Sequence, residues 1–142
     1  MMKHQRHLAG ILVATAMLAG CGTVVRSLPL TGGATAADTR GVTLYFGAQA
    51  HPDVKQQIGK HAESVRLARG TDAEQEVCNK ALDDALGRLR GYAAEHGGNA
   101  VINVTTRFHE TRSDSQTSFT CGVSGSAGAI AVSGDVVLLD AR

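Results

Sequence analysis

TDAEQEVCNKALDDALGRLRGYAAEHGGNAVINV, residues 71–104, decides the fold. It reads as one amphipathic helix over about 71–96, a glycine stop, and the start of a strand. Cys78, Leu82, Ala85, Leu89, Tyr92 and Ala93 recur at steps of three and four, which gathers them on one apolar face. Thr71 and Glu74 form the S/T-x-x-E pattern of a capping box, and Asp72, Glu74 and Glu76 set negative charge at the positive end of the helix dipole. Gly97 and Gly98 supply a left-handed stop. Gly87 and Gly91 each weaken the helix by about 1 kcal/mol relative to alanine. Four residues apart, they would let another backbone approach closely.

Downstream, Ile102, Val104, Thr106 and Phe108 alternate with Asn103, Thr105, Arg107 and His109, the period of a strand. TRSDSQTS (111–118) is a polar loop. AIAVSGDVVLL (129–139) is a strand interrupted by Gly134, which predicts a bulge or kink. Upstream, Val42, Leu44 and Phe46 alternate in a first strand, and His51-Pro52-Asp53 turns the chain. A second strand over about 63–69 places Val65 and Leu67 inward. The order is β-β-α-β-β: a small, largely antiparallel sheet packed on one main helix, which is the α+β class. Residues 22–41, rich in Gly, Thr and Ala, show no sustained period and read as a flexible tether. An edge strand at VVRSLPL is the alternative. A single domain over 42–142 follows.

The N-terminus has its own logic. A basic start, MMKHQRH, precedes the apolar run LAGILVATAMLAG (8–20). Thirteen residues of helix reach only about 20 Å, short of the ~30 Å core of a bilayer, so the run is a signal-peptide core and not a span. Leu18-Ala19-Gly20-Cys21 resembles the lipobox of bacterial lipoproteins. The resemblance implies that residues 1–20 are a signal peptide and that Cys21 is lipidated and becomes the first mature residue. Residues 21–41 are then a lipid-anchored tether. Gly22, where an inner-membrane retention signal would carry Asp, implies an outer-membrane lipoprotein facing the periplasm in a Gram-negative cell. An ordinary secretory signal is the alternative. Two or three acyl chains, at about 0.8 kcal/mol per buried methylene, give a stable anchor where one does not.

Removing residues 1–20 leaves 12 basic and 13 acidic side chains, a net charge of −1. That leaves no electrostatic footprint for nucleic acid or for anionic lipid. Cys78 and Cys121 remain in an oxidising compartment. A helix running back along the Phe108 strand brings Cys78 toward the loop before Cys121, which suits a structural disulfide. Closing a loop of about 44 residues stabilises by roughly 4 kcal/mol in the chain-entropy account. Two free buried thiols are an alternative, as is a metal or redox pair, although C-x-x-C spacing is lacking.

LYFGAQAHPDV (44–54), CNKAL (78–82), HGGNAVINV (96–104), FTCG (119–122) and AVSGDVV (131–137), in that order, resemble a family of small exported bacterial proteins. That family is often labelled "excinuclease ATPase subunit". The likeness covers about residues 42–139. More distantly, the helix, the GGNAV turn and the last strands resemble YbjQ-type domains, labelled as heavy-metal-binding, and RcsF-type stress-sensor lipoproteins. The ATPase label finds no support in the residues. A phosphate loop needs G-x-x-x-x-G-K-[ST], and near Gly59-Lys60 the first glycine is Val54 and the hydroxyl position is His61. The metal label implies a histidine set. His61, His96 and His109 are the candidates if the fold gathers them, with solvated surface histidines as the plainer reading. RcsF-type domains use two disulfides, whereas one cysteine pair is present here.

No catalytic set emerges. Asp83 and Asp84 are adjacent on a helix and point about 100° apart, as a solvated face would. The serines lack a G-x-S-x-G elbow, and CGVSGSAG (121–128) does not open a helix. The expectation is a non-enzymatic lipoprotein without a cofactor, nucleotide or nucleic acid. Its periplasmic domain binds an envelope protein or itself, in sensing or scaffolding. Metal binding through gathered histidines is the second reading.

Overall fold

The computed structural model describes residues 22–141. The expected signal peptide and Cys21 lie outside the described residues. Strand β1 (Val24–Pro29) is followed by a short 3-10 turn (Gly32–Ala34), β2 (Thr43–Phe46) and β3 (Val54–Ala68). Helix α1 (Glu74–Glu95) then leads to β4 (Ala100–Phe108), β5 (Thr111–Ser113), β6 (Ser118–Val123) and β7 (Ala127–Leu139). The class is α+β, with one helix and a mixed, mostly antiparallel seven-stranded sheet among the described residues.

β7 is the spine. Along one side it pairs with β3 from Ala127↔Ala68 to Leu139↔Val54. Along the other it pairs first with β6 and then with β4. β1 adds antiparallel to β6, β5 adds to β4, and β2 adds to β4 as the single parallel pair among the described residues. The expected β-β-α-β-β order therefore misses three strands. The segment expected as a tether contains β1, which covers the β6 edge from Val24↔Val123 to Pro29↔Ser118. Pairing satisfies a backbone whose sequence shows no period, because both faces of this edge strand are largely exposed. The polar loop holds β5, and the glycine-rich 121–128 stretch begins inside β6.

α1 lies across one face of the sheet. Val77, Cys78, Ala81, Leu82, Ala85, Leu86, Leu89 and Ala93 are buried against Val42, Leu44, Phe46, Val65, Val101, Val104, Phe119, Ile130, Val132 and Val136. At about 1.5–3 kcal/mol for each large side chain, this face dominates the stability. A smaller cluster of Ala100, Ile102, Val137 and Leu139 with Tyr45 and Val54 packs on the other face.

Three local expectations are corrected. The helix starts on Ala73, with no side-chain cap, so the Thr71–Glu74 capping box does not form. The chain instead turns at Arg69–Asp72, with Asp72 N–H donating to the Arg69 carbonyl at 3.0 Å. The far end closes as expected: Gly97 has φ 79°, and Gly98 N–H reaches the Ala93 carbonyl at 2.8 Å. No backbone approaches Gly87 and Gly91. The Arg40 side chain fills that face, its Nη2 donating to the Gly87 carbonyl at 3.2 Å. Finally, the β4 alternation breaks at Asn103, which has φ 53° in a bulge between Ile102 and Thr105. Ile102 and Val104 consequently face opposite sides of the sheet. The bulge lies opposite Gly134, where an added Cβ would sit 2.5 Å from a Val101 methyl and 3.1 Å from the Ile102 carbonyl oxygen.

Candidate functional site

The sequence candidates converge in part on a cleft between α1 and β3. The chain first reaches it through residues 31–42, which fold onto the helix. Arg90 Nη2 donates to the Ala34 and Ala36 carbonyls at 2.9 and 2.6 Å. Burial lowers the Arg90 pKa, outweighing the opposing pull of Asp38, and the charge of Arg40 acts in the same direction as burial. Asp38 accepts from Arg40 Nε at 2.7 Å and from the Val42 N–H at 3.1 Å. Burial alone would push its carboxyl up, but these bonds hold it below the ordinary carboxylate value.

The cleft is open, about 590 Å³, and lined by Arg40, His61, Glu63, Asp83, Asp84, Gly87, Arg88, Gly91, Tyr92 and Glu95. β3 supplies His61 and Glu63 two residues apart, so both project toward the helix. α1 supplies Asp84, Arg88, Tyr92 and Glu95 at helical spacing. Arg88 grips Asp84 with two bonds, 3.0 and 3.3 Å, while Asp83 is exposed. The adjacent carboxylates thus diverge, one toward Arg88 and one toward solvent.

Three rings stack across the cleft. His61 lies on Tyr92 with centroids 3.5 Å apart and planes 4° apart, and Tyr92 lies on His96 at 3.9 Å and 21°. His61 Nε2 bonds Glu63 Oε1 at 2.9 Å, and His96 Nδ1–H donates to the Tyr92 carbonyl at 2.8 Å. The stack buries ring faces and commits one nitrogen of each histidine. His109 stands elsewhere, after β4, edge-on to Phe108 and lining a cleft on the opposite sheet face. Two of the three candidate histidines therefore meet, as a stack, and the third does not. Among the described residues no three His, Cys, Asp or Glu side chains are placed to hold a metal ion.

Tyr92 was read from sequence only as part of the apolar face. Its i,i+4 spacing to His96 is the one signal that pointed to the stack. Nothing local marks His61, which arrives from β3. Cys78 and Cys121 form a disulfide, with Cα atoms 6.0 Å apart, joining the first turns of α1 to β6 beneath it. Both are fully buried.

No family model matches the chain, and no curated protein does. A solved structure from Pediococcus pentosaceus ATCC 25745, a protein of unknown function in the DUF74 family, is similar at 12% identity. The match covers 70% of this chain and 99% of that one, with a TM-score of 0.49.

Proposed function

We propose that this protein is a non-enzymatic outer-membrane lipoprotein, anchored through Cys21, whose periplasmic domain captures an extended segment of an envelope partner. The observation that carries the reading is the outer edge of β3. Among the described residues, β3 pairs with β7 alone, so a strand of 15 residues offers one unpaired edge beside the cleft. Unpaired backbone of this length is a template for strand addition. Lys55, Lys60 and Arg66 along it discourage indiscriminate pairing. Arg40 and Arg88 in the cleft are already held by Asp38 and Asp84. Glu63, Asp83 and Glu95 therefore leave it net acidic and favour a partner with basic side chains at alternate positions. The disulfide and the lipobox both suit an exported chain.

A photo-crosslinking residue placed at the exposed Ala62 tests this in living cells, with Asp140 as the control position. The expected result is a discrete adduct from position 62 that Glu63→Lys abolishes. The same adducts from both positions, or none from position 62, would sink the reading. Intact mass of the membrane-extracted protein tests the anchor separately, with acyl chains on a chain beginning at Cys21 as the expected result.

A further inference from the structure

Five arginines among the described residues have no carboxylate partner. Arg69 and Arg90 are spent on backbone carbonyls. The other three, Arg66, Arg107 and Arg112, stand on the face of the sheet away from α1, where Arg107 reaches only the His109 carbonyl at 3.2 Å. Arg26, Arg40, Lys60, Lys80 and Arg88 all form ion pairs. Arg107 and Arg112 stand directly opposite one another across β4 and β5. Like charges in that position destabilise a sheet unless an anion lies over them. Arg66, paired in register with Ala129, extends the cationic strip onto β3.

Two contiguous clefts run through this strip, of about 270 and 320 Å³, sharing Arg66, Phe108, His109 and Ala129. No carboxylate lines either one; Arg112 lies beyond them, in a neighbouring depression that it shares with Lys60 and Asp135. Their floor is made of small residues, and Gly122 leaves room for the Phe108 ring, which would collide with a Cβ there. The second cleft is also lined by Thr23. Two residues span at most about 7 Å, so an anchor at Cys21 would be tied within that reach of Thr23 at the end of this strip.

We propose that this face docks on anionic phospholipid headgroups, with Arg66, Arg107 and Arg112 meeting the phosphates and Phe108 meeting the glycerol and upper acyl region. The argument joins charge complementarity to the place where the chain emerges, and it rests on the reading of Cys21 as the anchor. The domain then lies flat on the membrane, with β1 close to the surface and no tether between them. The α1–β3 cleft, on the other side of the sheet, is left facing the periplasm. Each cation at an anionic surface strengthens binding by about fivefold at low salt, and the gain is screened within a Debye length.

Protein extracted from membranes, with its mass taken first, is mixed with vesicles of phosphatidylcholine alone or with added phosphatidylglycerol. Amide exchange is then followed at residues 107–112. Phosphatidylglycerol is expected to slow exchange there at least severalfold, with the effect lost in high salt and in R66E/R107E. Arg88→Glu, on the helix side, is expected to retain the effect. Circular dichroism and alkylation of the cysteines check that the variants fold. Equal exchange in both vesicles overturns the proposal, including the case where the anchor's own acyl chain fills the cleft. Equal slowing by inorganic phosphate without vesicles also overturns it, in favour of a soluble anion. A mass without acyl chains defeats the anchor reading alone, because flotation with phosphatidylglycerol vesicles still tests the face.

Discussion

The imidazole of His61 lies flat on the phenol ring of Tyr92, centroids 3.5 Å apart, and ties the outermost long strand to the helix. His96 covers the other side of the same ring. Aromatic pairs of this kind contribute about 0.5–1.5 kcal/mol beyond buried area. Tyr92→Ala is therefore expected to cost roughly 2–4 kcal/mol and to raise amide exchange over β3. Tyr92→Phe keeps the ring and is expected to stay within about 0.5 kcal/mol of the parent. Urea midpoints with exchange at residues 58–65 check both, and equal losses would show that the ring stack is not what matters.

The Cys78–Cys121 bridge closes its loop through the helix and the β4–β6 region, a sequence separation of 43. Removing it by Cys78→Ala with Cys121→Ala is expected to cost about 2–5 kcal/mol, chiefly by loosening the unfolded chain. A double variant that unfolds at the same urea concentration as the oxidised parent would contradict this.

Gly134 has no room for a side chain because the β4 bulge presses Val101 and the Ile102 carbonyl onto it. Gly134→Ala is expected to cost about 1–3 kcal/mol by overpacking. Asn103, at φ 53°, makes the complementary test. Asn103→Gly accepts that backbone without strain but loses the bond to Asp135 Oδ2 at 2.9 Å, so it is expected to stay within about 1 kcal/mol. Thermal melts of the two variants decide the ordering.

These positions show what the sequence made legible. Period and punctuation exposed α1, its glycine stop, β2, the inner face of β3 at Val65, and the cysteine pair. All of these are local signals, or follow from the helix doubling back on β4. What was missed depends on remote partners. β1 has no pattern of its own because both its faces are largely exposed, and β6 alone makes it a strand. The break at Asn103 was hidden because Ile102 and Val104 keep a period of two on paper while the bulge turns them apart. The capping box failed because the turn at Arg69–Asp72 takes Thr71 away from the helix start. His61 and Tyr92 sit 31 positions apart on elements of different period, so no window contains both.

β1 offers its own test. Arg26 bonds Glu74 at 2.9 Å across to the helix start, and Leu28 packs on the main core. Deleting residues 23–29 uncovers the β6 edge, which runs beside the buried Phe119, Cys121 and Val123. Such an edge is a pairing template for other chains. The truncated protein is expected to aggregate under conditions where the parent does not, as read by light scattering. A stable truncated monomer would restore the picture of a domain starting at residue 42.

Acid sensitivity follows from Asp38, the carboxylate that holds residues 38–42 in place above the helix. Its folded pKa lies below the ordinary value of 3.8 because bonds from Arg40 and Val42 outweigh burial. A depressed carboxyl contributes stability that is fully present above the unfolded pKa and lost as pH falls through the folded one. At neutral pH Asp38→Asn gives up a charge-assisted bond to Arg40 and weakens two backbone bonds, so it is expected to cost about 1–2 kcal/mol. Below about pH 4 the parent progressively loses the same contribution, and the gap between parent and variant should narrow. Urea midpoints at pH 7, 5 and 3 measure the gap directly. A gap unchanged across that range would mean the carboxylate's charge plays no part in seating the segment. A gap that widened toward acid would reverse the sign and place the folded pKa above 3.8.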